Sequence, residues 1–150
     1  MWEARTRSDY YTVSLDNGER KQIAQADYGR FRLSPQGKYA YWYGETDSCW
    51  YTIALAEGKR YRLTTPESFP AWDEDNDVPN HPYAHGAAGW TANDQNLLIY
   101  DRYDIWKFDP TAATSPINLT VNGRKEKLSY RLEQLDNCLL YTSDAADDLT

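Results

Sequence analysis

The sequence predicts an all-β chain built from a repeated four-stranded antiparallel unit, and three observations carry that reading. The first is internal repetition. Tyr11-Thr-Val13-Ser-Leu15 is followed by Gly18 and Ile23, and Tyr51-Thr-Ile53-Ala-Leu55 is followed at the same offsets by Gly58 and Leu63, 40 residues later. The second is composition: 13 Tyr and 6 Trp against a single Met suit pleated, half-buried surfaces. The third is that no segment keeps a 3.6-residue apolar period over three turns. A looser third copy runs through Trp106-Lys-Phe108 and Leu119-Thr120, which echoes Leu63-Thr64. A period of about 40–45 residues is the length of one β-propeller blade, so the fold expected is a partial β-propeller of two to three blades, its ring not closed.

The elements follow in chain order. Residues 10–15 alternate as a strand does, Asp16-Asn17-Gly18 is a turn, and Arg20 to Ala24 returns. Tyr28 to Leu33 is a third strand, ended by Ser34-Pro35-Gln36-Gly37-Lys38. Pro35 presets φ at the first corner of that turn and Gly37 tolerates φ > 0. Tyr39-Ala-Tyr-Trp-Tyr43 is apolar or aromatic throughout, as a strand buried on both faces must be. After the polar loop Glu45-Thr-Asp-Ser48, Trp50 to Leu55 and Arg60 to Leu63 complete the unit. The next copy keeps the order: Gly86 to Trp90, a turn at Thr91 to Gln95, Asn96 to Tyr100, Asp104 to Asp109, and Asn118-Leu-Thr120. Lys127 to Leu135 reads either as a short helix or, at Tyr130-Arg-Leu, as the start of another strand.

One segment breaks the period. Ile23 to Ser34 spans 11 residues and Leu63 to Thr91 spans 28. The surplus, Pro66 to His85, is rich in Pro, Asp and Asn, and long connections in compact domains are usually functional or disordered. Within it Asp73-Glu-Asp-Asn-Asp77 sets four carboxylates in five residues. Asp73, Asp75 and Asp77 match the first three ligands of a calcium loop, but Val78 and Ala84 stand where its Gly and bidentate Glu belong. A solvated acidic loop, a cation site and a patch meeting a substrate's amino group remain open; no metal site is predicted. His81 and His85 lie four apart, but Pro79 and Pro82 oppose a helix and the Glu of a zinc-protease motif is missing, so both read as loop packing. Asp101, Arg102, Tyr103 and Asp104 at a strand end read as an edge salt bridge or as the lining of a channel or interface. Asn118-Leu-Thr120 fits a glycosylation sequon and is taken as chance. Trp42, Trp50, Trp72, Trp90 and Trp106 read as packing between sheets.

The chain carries a net charge of −7, which argues against nucleic acid or an anionic membrane as partner. With 26% charged residues and a mean hydropathy of −0.84 it is expected to be soluble, with no membrane span. Met1-Trp-Glu-Ala-Arg lacks the pattern of a signal peptide, and Met1 reads equally as an internal start. Cys49 and Cys138 make no disulfide framework and read as a small filler and an incidental thiol. Residues 138–148 resemble a translated transposase-type sequencing adapter. On that reading the natural chain is 1–137, with 138–150 a non-native tail; the alternative is a genuine acidic terminus. Without Asp144, Asp147 and Asp148 the charge of −7 becomes −4.

Leu33-Ser-Pro-Gln-Gly-Lys-Tyr39, Gly89-Trp90 and the run Leu98-Ile-Tyr-Asp-Arg-Tyr-Asp-Ile-Trp106 with Asn118-Leu-Thr120 resemble the non-catalytic propeller of the prolyl oligopeptidase family of serine peptidases, in its large bacterial, dipeptidyl-peptidase-like members. The resemblance covers residues 8–136. The Ser-Pro-x-Gly-Lys turn recurs in many propellers; the Tyr-Asp-Arg-Tyr-Asp-Ile-Trp stretch is the more specific part. It implies a propeller stacked on an α/β-hydrolase domain with a Ser, Asp, His triad, admitting only short, unfolded peptides, often in the periplasm. No catalytic residue carries over, because no Gly-x-Ser-x-Gly elbow exists here. The partners expected are therefore the missing hydrolase domain, the remaining blades and short peptide substrates, with no cofactor. The residues expected to govern substrate access are Asp73, Glu74, Asp75, Asp77, Arg102 and Asp104. The alternative is part of a binding propeller without an enzyme, like that of the periplasmic Tol system.

Overall fold

The computed structural model describes residues 7–27, 29–75, 77 and 83–133; Tyr28, His81, Cys138 and the adapter-like segment 138–150 lie outside them. The described chain is all-β apart from one 3₁₀ turn and one helical turn. Its strands are β1 Ser8–Val13, β2 Arg20–Asp27, β3 Arg32–Leu33, β4 Tyr39–Gly44, β5 Cys49–Ala54, β6 Lys59–Arg62, β7 Ala87–Trp90, β8 Leu97–Tyr100, β9 Ile105–Phe108 and β10 Ile117–Asn118; α1 is Gly123–Glu126. They form three antiparallel sheets: the hairpin β1-β2, the meander β3-β4-β5-β6 and the meander β7-β8-β9-β10. None of the sheets closes on itself. No described helix is long and apolar enough to cross a membrane.

The repeat seen in the sequence is also a repeat of pairing. Tyr11↔Gln22, Thr12↔Lys21 and Val13↔Arg20 in β1-β2 recur 40 positions on as Tyr51↔Arg62, Thr52↔Tyr61 and Ile53↔Arg60 in β5-β6. Each hairpin closes through a glycine in left-handed conformation, Gly18 at φ 72° and Gly58 at φ 71°, which fixes the same turn and therefore the same register. The hairpin β1-β2 thus corresponds to the outer half of the meander that follows it.

The sheets stack face to face, and the alternation of β4 explains how. Ala40 and Trp42 point to one side and, with Ile53, pack on Ile23 of the hairpin and on Phe31. Tyr41 and Tyr43 point to the other side and, with Trp50, pack on Leu97, Ile99 and Phe108 of the second meander. A strand covered on both faces has no polar position to spare, which accounts for the uninterrupted run Tyr39 to Tyr43. Trp42, 1% exposed, is the largest fully buried side chain, and removing a Trp-sized area of about 150–250 Å² from water is worth roughly 4–6 kcal/mol at about 25 cal/mol per Å².

Two expectations are corrected. The strand foreseen over 28–33 reduces, among the described residues, to Arg32–Leu33. Phe31 stands outside the ladder, with its ring stacked between Tyr10, at 3.9 Å, and Trp42, at 4.3 Å. In the C-terminal part the helical turn lies earlier than Lys127, at Gly123–Glu126, and residues 127–133 form no strand. Asp104 accepts hydrogen bonds from the Gly123 and Arg124 amides at 2.9 and 3.3 Å, satisfying donors of the first turn, and Lys127 at φ 56° ends it.

Candidate functional site

The two meanders meet at their turns through one carboxylate. In the first, Ser34 N donates to Tyr39 O at 2.9 Å and Tyr39 N donates to Ser34 Oγ at 3.0 Å. Thr91 and Asn96 make the same pair of bonds in the second, at 2.9 and 3.0 Å. Between β7 and β8 the 3₁₀ turn Ala92–Asp94 carries Asn93 and Asp94 at φ 58° and 54°, which turns the Asp94 side chain across the sheet interface. There it accepts from Ser34 Oγ at 2.5 Å and from Gln36 N at 3.0 Å, with the Lys38 amide further off at 3.4 Å. Lys38 Nζ adds a bond to Asn93 O at 3.0 Å. The turn of one meander is thus plugged by the turn of the next. The opposite ends match as well: Trp50 N donates to Thr64 Oγ1 at 2.9 Å and Ile105 N to Thr120 Oγ1 at 3.2 Å.

The acidic loop is a charge-compensated surface. Phe69 and Ala71 anchor its start in the core, and Trp72 bridges to Ala84 across its ends. Asp75 pairs with Arg102 at 2.8 Å, and Arg124 spans both oxygens of Glu74 at 3.3 and 3.2 Å. Both guanidiniums lie over the ring of Tyr103, at 5.2 and 5.3 Å. Asp73 accepts from the Asp75 amide at 3.1 Å, and Asp77 lies further along the same loop. The structure therefore brings Glu74, Asp75 and Arg102 together. Among the described residues no cluster of three or more His, Cys, Asp or Glu is arranged to hold a metal ion. Asp104 stands apart. It is 1% exposed, and besides the α1 amides it accepts from Thr120 Oγ1 at 2.6 Å. Burial pushes its pKa up, but the bonds from Thr120 and the α1 amides outweigh that and hold the carboxyl below the ordinary aspartate value. A carboxylate so enclosed organises the chain around it.

His85 also serves packing. Its amide donates to Ala71 O at 3.1 Å, its Nε2 is buried without a hydrogen-bond partner, and burial lowers its pKa. A triad histidine needs a serine hydroxyl at that nitrogen, and no described residue supplies one. Cys49, at the start of β5, is buried, and burial raises its pKa, so it stays a thiol.

Among the described residues a cleft of about 530 Å³ opens between the Tyr41 and Tyr43 face of the first meander and the start of β7. One wall is Tyr41, Tyr43 and Trp50. The other is low, built from Ala84, Gly86 and Ala87, and at Gly86 (φ 104°) the space where a Cβ would stand is open. Arg30, Arg32 and Glu45 sit at its rim with Tyr83. Arg32 lies opposite Tyr41 in the ladder, so both side chains leave the sheet on the same face. Burial raises the Tyr43 pKa, so the phenol is neutral at physiological pH. None of Arg30, Arg32 and Glu45 stood out in the sequence. The available signal was two arginines spaced i, i+2 ahead of a Ser-Pro-x-Gly turn.

No family model, curated protein or solved structure matches the chain.

Proposed function

We propose that the chain is a run of consecutive β-propeller blades, the outer hairpin of one (β1-β2) and two whole ones (β3–β6 and β7–β10), from a serine peptidase like the prolyl oligopeptidases. In that role it is non-catalytic and positions or gates short peptides for a hydrolase domain elsewhere in the parent protein. One observation carries the blade reading: successive meanders stack face to face and are joined turn to turn by Asp94. A stacking relation that repeats between like units is what a ring of blades requires. The cleft then opens between two neighbouring blades, with Arg32 of β3 and Ala87 of β7 on the innermost strands that would line a central channel, the place at which a propeller meets passing substrate. The peptidase assignment rests on the motif resemblance of residues 8–136.

The test is the uninterrupted coding sequence that contains residues 1–137, followed by expression of the whole protein. The reading expects further repeats, a Gly-x-Ser-x-Gly elbow followed by Asp and His, and hydrolysis of short peptides but not of folded proteins. Further repeats with no elbow and no hydrolysis would replace it with a binding propeller of the Tol type.

A further inference from the structure

From the cleft between β3-β4 and β7 we infer a carboxylate-binding subsite, in which Arg30 and Arg32 hold the free C-terminal carboxylate of a short peptide while the preceding side chain lies on Tyr41, Tyr43 and Trp50. The inference rests on reading this cleft as a peptide-facing wall. Two observations support it.

The first is charge. In a chain of net charge −7, arginines usually find carboxylates, and Arg102 and Arg124 do so with Asp75 and Glu74. Arg30 and Arg32 are exposed, and their side chains have no ion pair or hydrogen bond among the described residues. Two like charges two residues apart repel, and an anion between them relieves that. A guanidinium fork matches a carboxylate in two parallel bonds, which an amide oxygen cannot reproduce.

The second is shape. The aromatic wall is held in place, because Tyr41, Tyr43 and Trp50 belong to the buried cluster shared with Leu97 and Ile99 of the facing meander. Flat side chains held in place present apolar area with little entropy left to lose. The facing wall of Ala84, Gly86 and Ala87 leaves room for a bulky residue. The ligand favoured is therefore a peptide with a terminal carboxylate and an apolar last residue.

The experiment titrates the full chain with N-acetyl-Ala-Phe as its free acid and as its C-terminal amide, by calorimetry, with the arginine Nε–H resonances followed by NMR. The acid should bind at least tenfold more tightly than the amide, shift the Arg30 and Arg32 resonances, and weaken as salt rises. Arg30→Gln with Arg32→Gln should abolish the preference for the acid; the lysine pair should keep part of it, since charge remains and the fork is lost. Equal affinity for acid and amide, no binding of either, or a preference that survives the glutamine pair overturns the inference. None of these results bears on whether a hydrolase domain accompanies the blades, which the whole-protein experiment decides separately.

Discussion

Replacing Asp94 with Ala should separate the two meanders more than any other single polar change. Asp94 is 2% exposed and receives a hydroxyl at 2.5 Å and an amide at 3.0 Å from the neighbouring sheet's turn. A hydrogen bond to a charged group contributes about 1.5–3 kcal/mol, and a buried partner left unpaired costs about 1–3 kcal/mol. Ser34 is itself 3% exposed, so its hydroxyl loses its acceptor with little water to replace it. The two bonds together put the loss for Asp94→Ala at about 3–5 kcal/mol, a large share of the ~5–15 kcal/mol that holds a typical domain folded. Asp94→Asn keeps an acceptor but not the charge and should cost about half as much. The assay is urea unfolding followed by tryptophan fluorescence, with Ser34→Ala and the double variant completing a cycle. The coupling between Asp94 and Ser34 should exceed about 1 kcal/mol. A loss for Asp94→Ala under about 0.5 kcal/mol, the scale of a surface substitution, would refute the lock between turns.

Asp104, whose folded pKa is depressed, should contribute stability above the ordinary aspartate pKa of 3.8 and lose it as pH falls through the lower folded value; Asp104→Asn should flatten that acid limb in pH-dependent melting. His85, whose folded pKa is also lowered, should withdraw stability as pH drops below 6.5, and His85→Gln should remove that slope. Lys127 ends α1 in the left-handed region at φ 56°, so Lys127→Gly should raise the melting temperature, by about 0.5–1 kcal/mol in stability terms. The Arg102–Asp75 pair, with side chains 37% and 65% exposed, should couple by no more than about 0.5 kcal/mol in a double-mutant cycle, and less at high salt.

The strands and their order were legible because each is a local pattern: alternation in 10–15, a continuous apolar run in 39–43, and glycine turns at Gly18 and Gly58. The offset of 40 reappears in the register, since equal turns impose equal pairing. What escaped was set by contacts distant in sequence. Phe31 looked like a strand residue until Tyr10 and Trp42 enclosed its ring. Asp94 looked like an ordinary turn residue, since its partners lie some 60 positions earlier. Asp104 was grouped with Arg102 by proximity along the chain, but the strand end turns one toward α1 and the other toward the acidic loop. Arg30 and Arg32 offered only their i, i+2 spacing, because a cleft needs a second wall and that wall begins near Tyr83.

The stacking has a consequence for how the molecule comes apart. Among the described residues the packing runs from each sheet to the next, so stability is shared between neighbours as in a short linear array. Among the described residues the β3–β6 meander is packed on both faces, against the hairpin on one side and the second meander on the other. Opening β1-β2 uncovers one face, Trp42 among it, and opening β7–β10 uncovers the other, but each leaves the middle sheet with a partner. Losing the middle sheet strands both. Amide exchange should therefore be graded from the ends inward, with β4 and β5 protected to the level of global unfolding and the hairpin β1-β2 exchanging through smaller, independent openings.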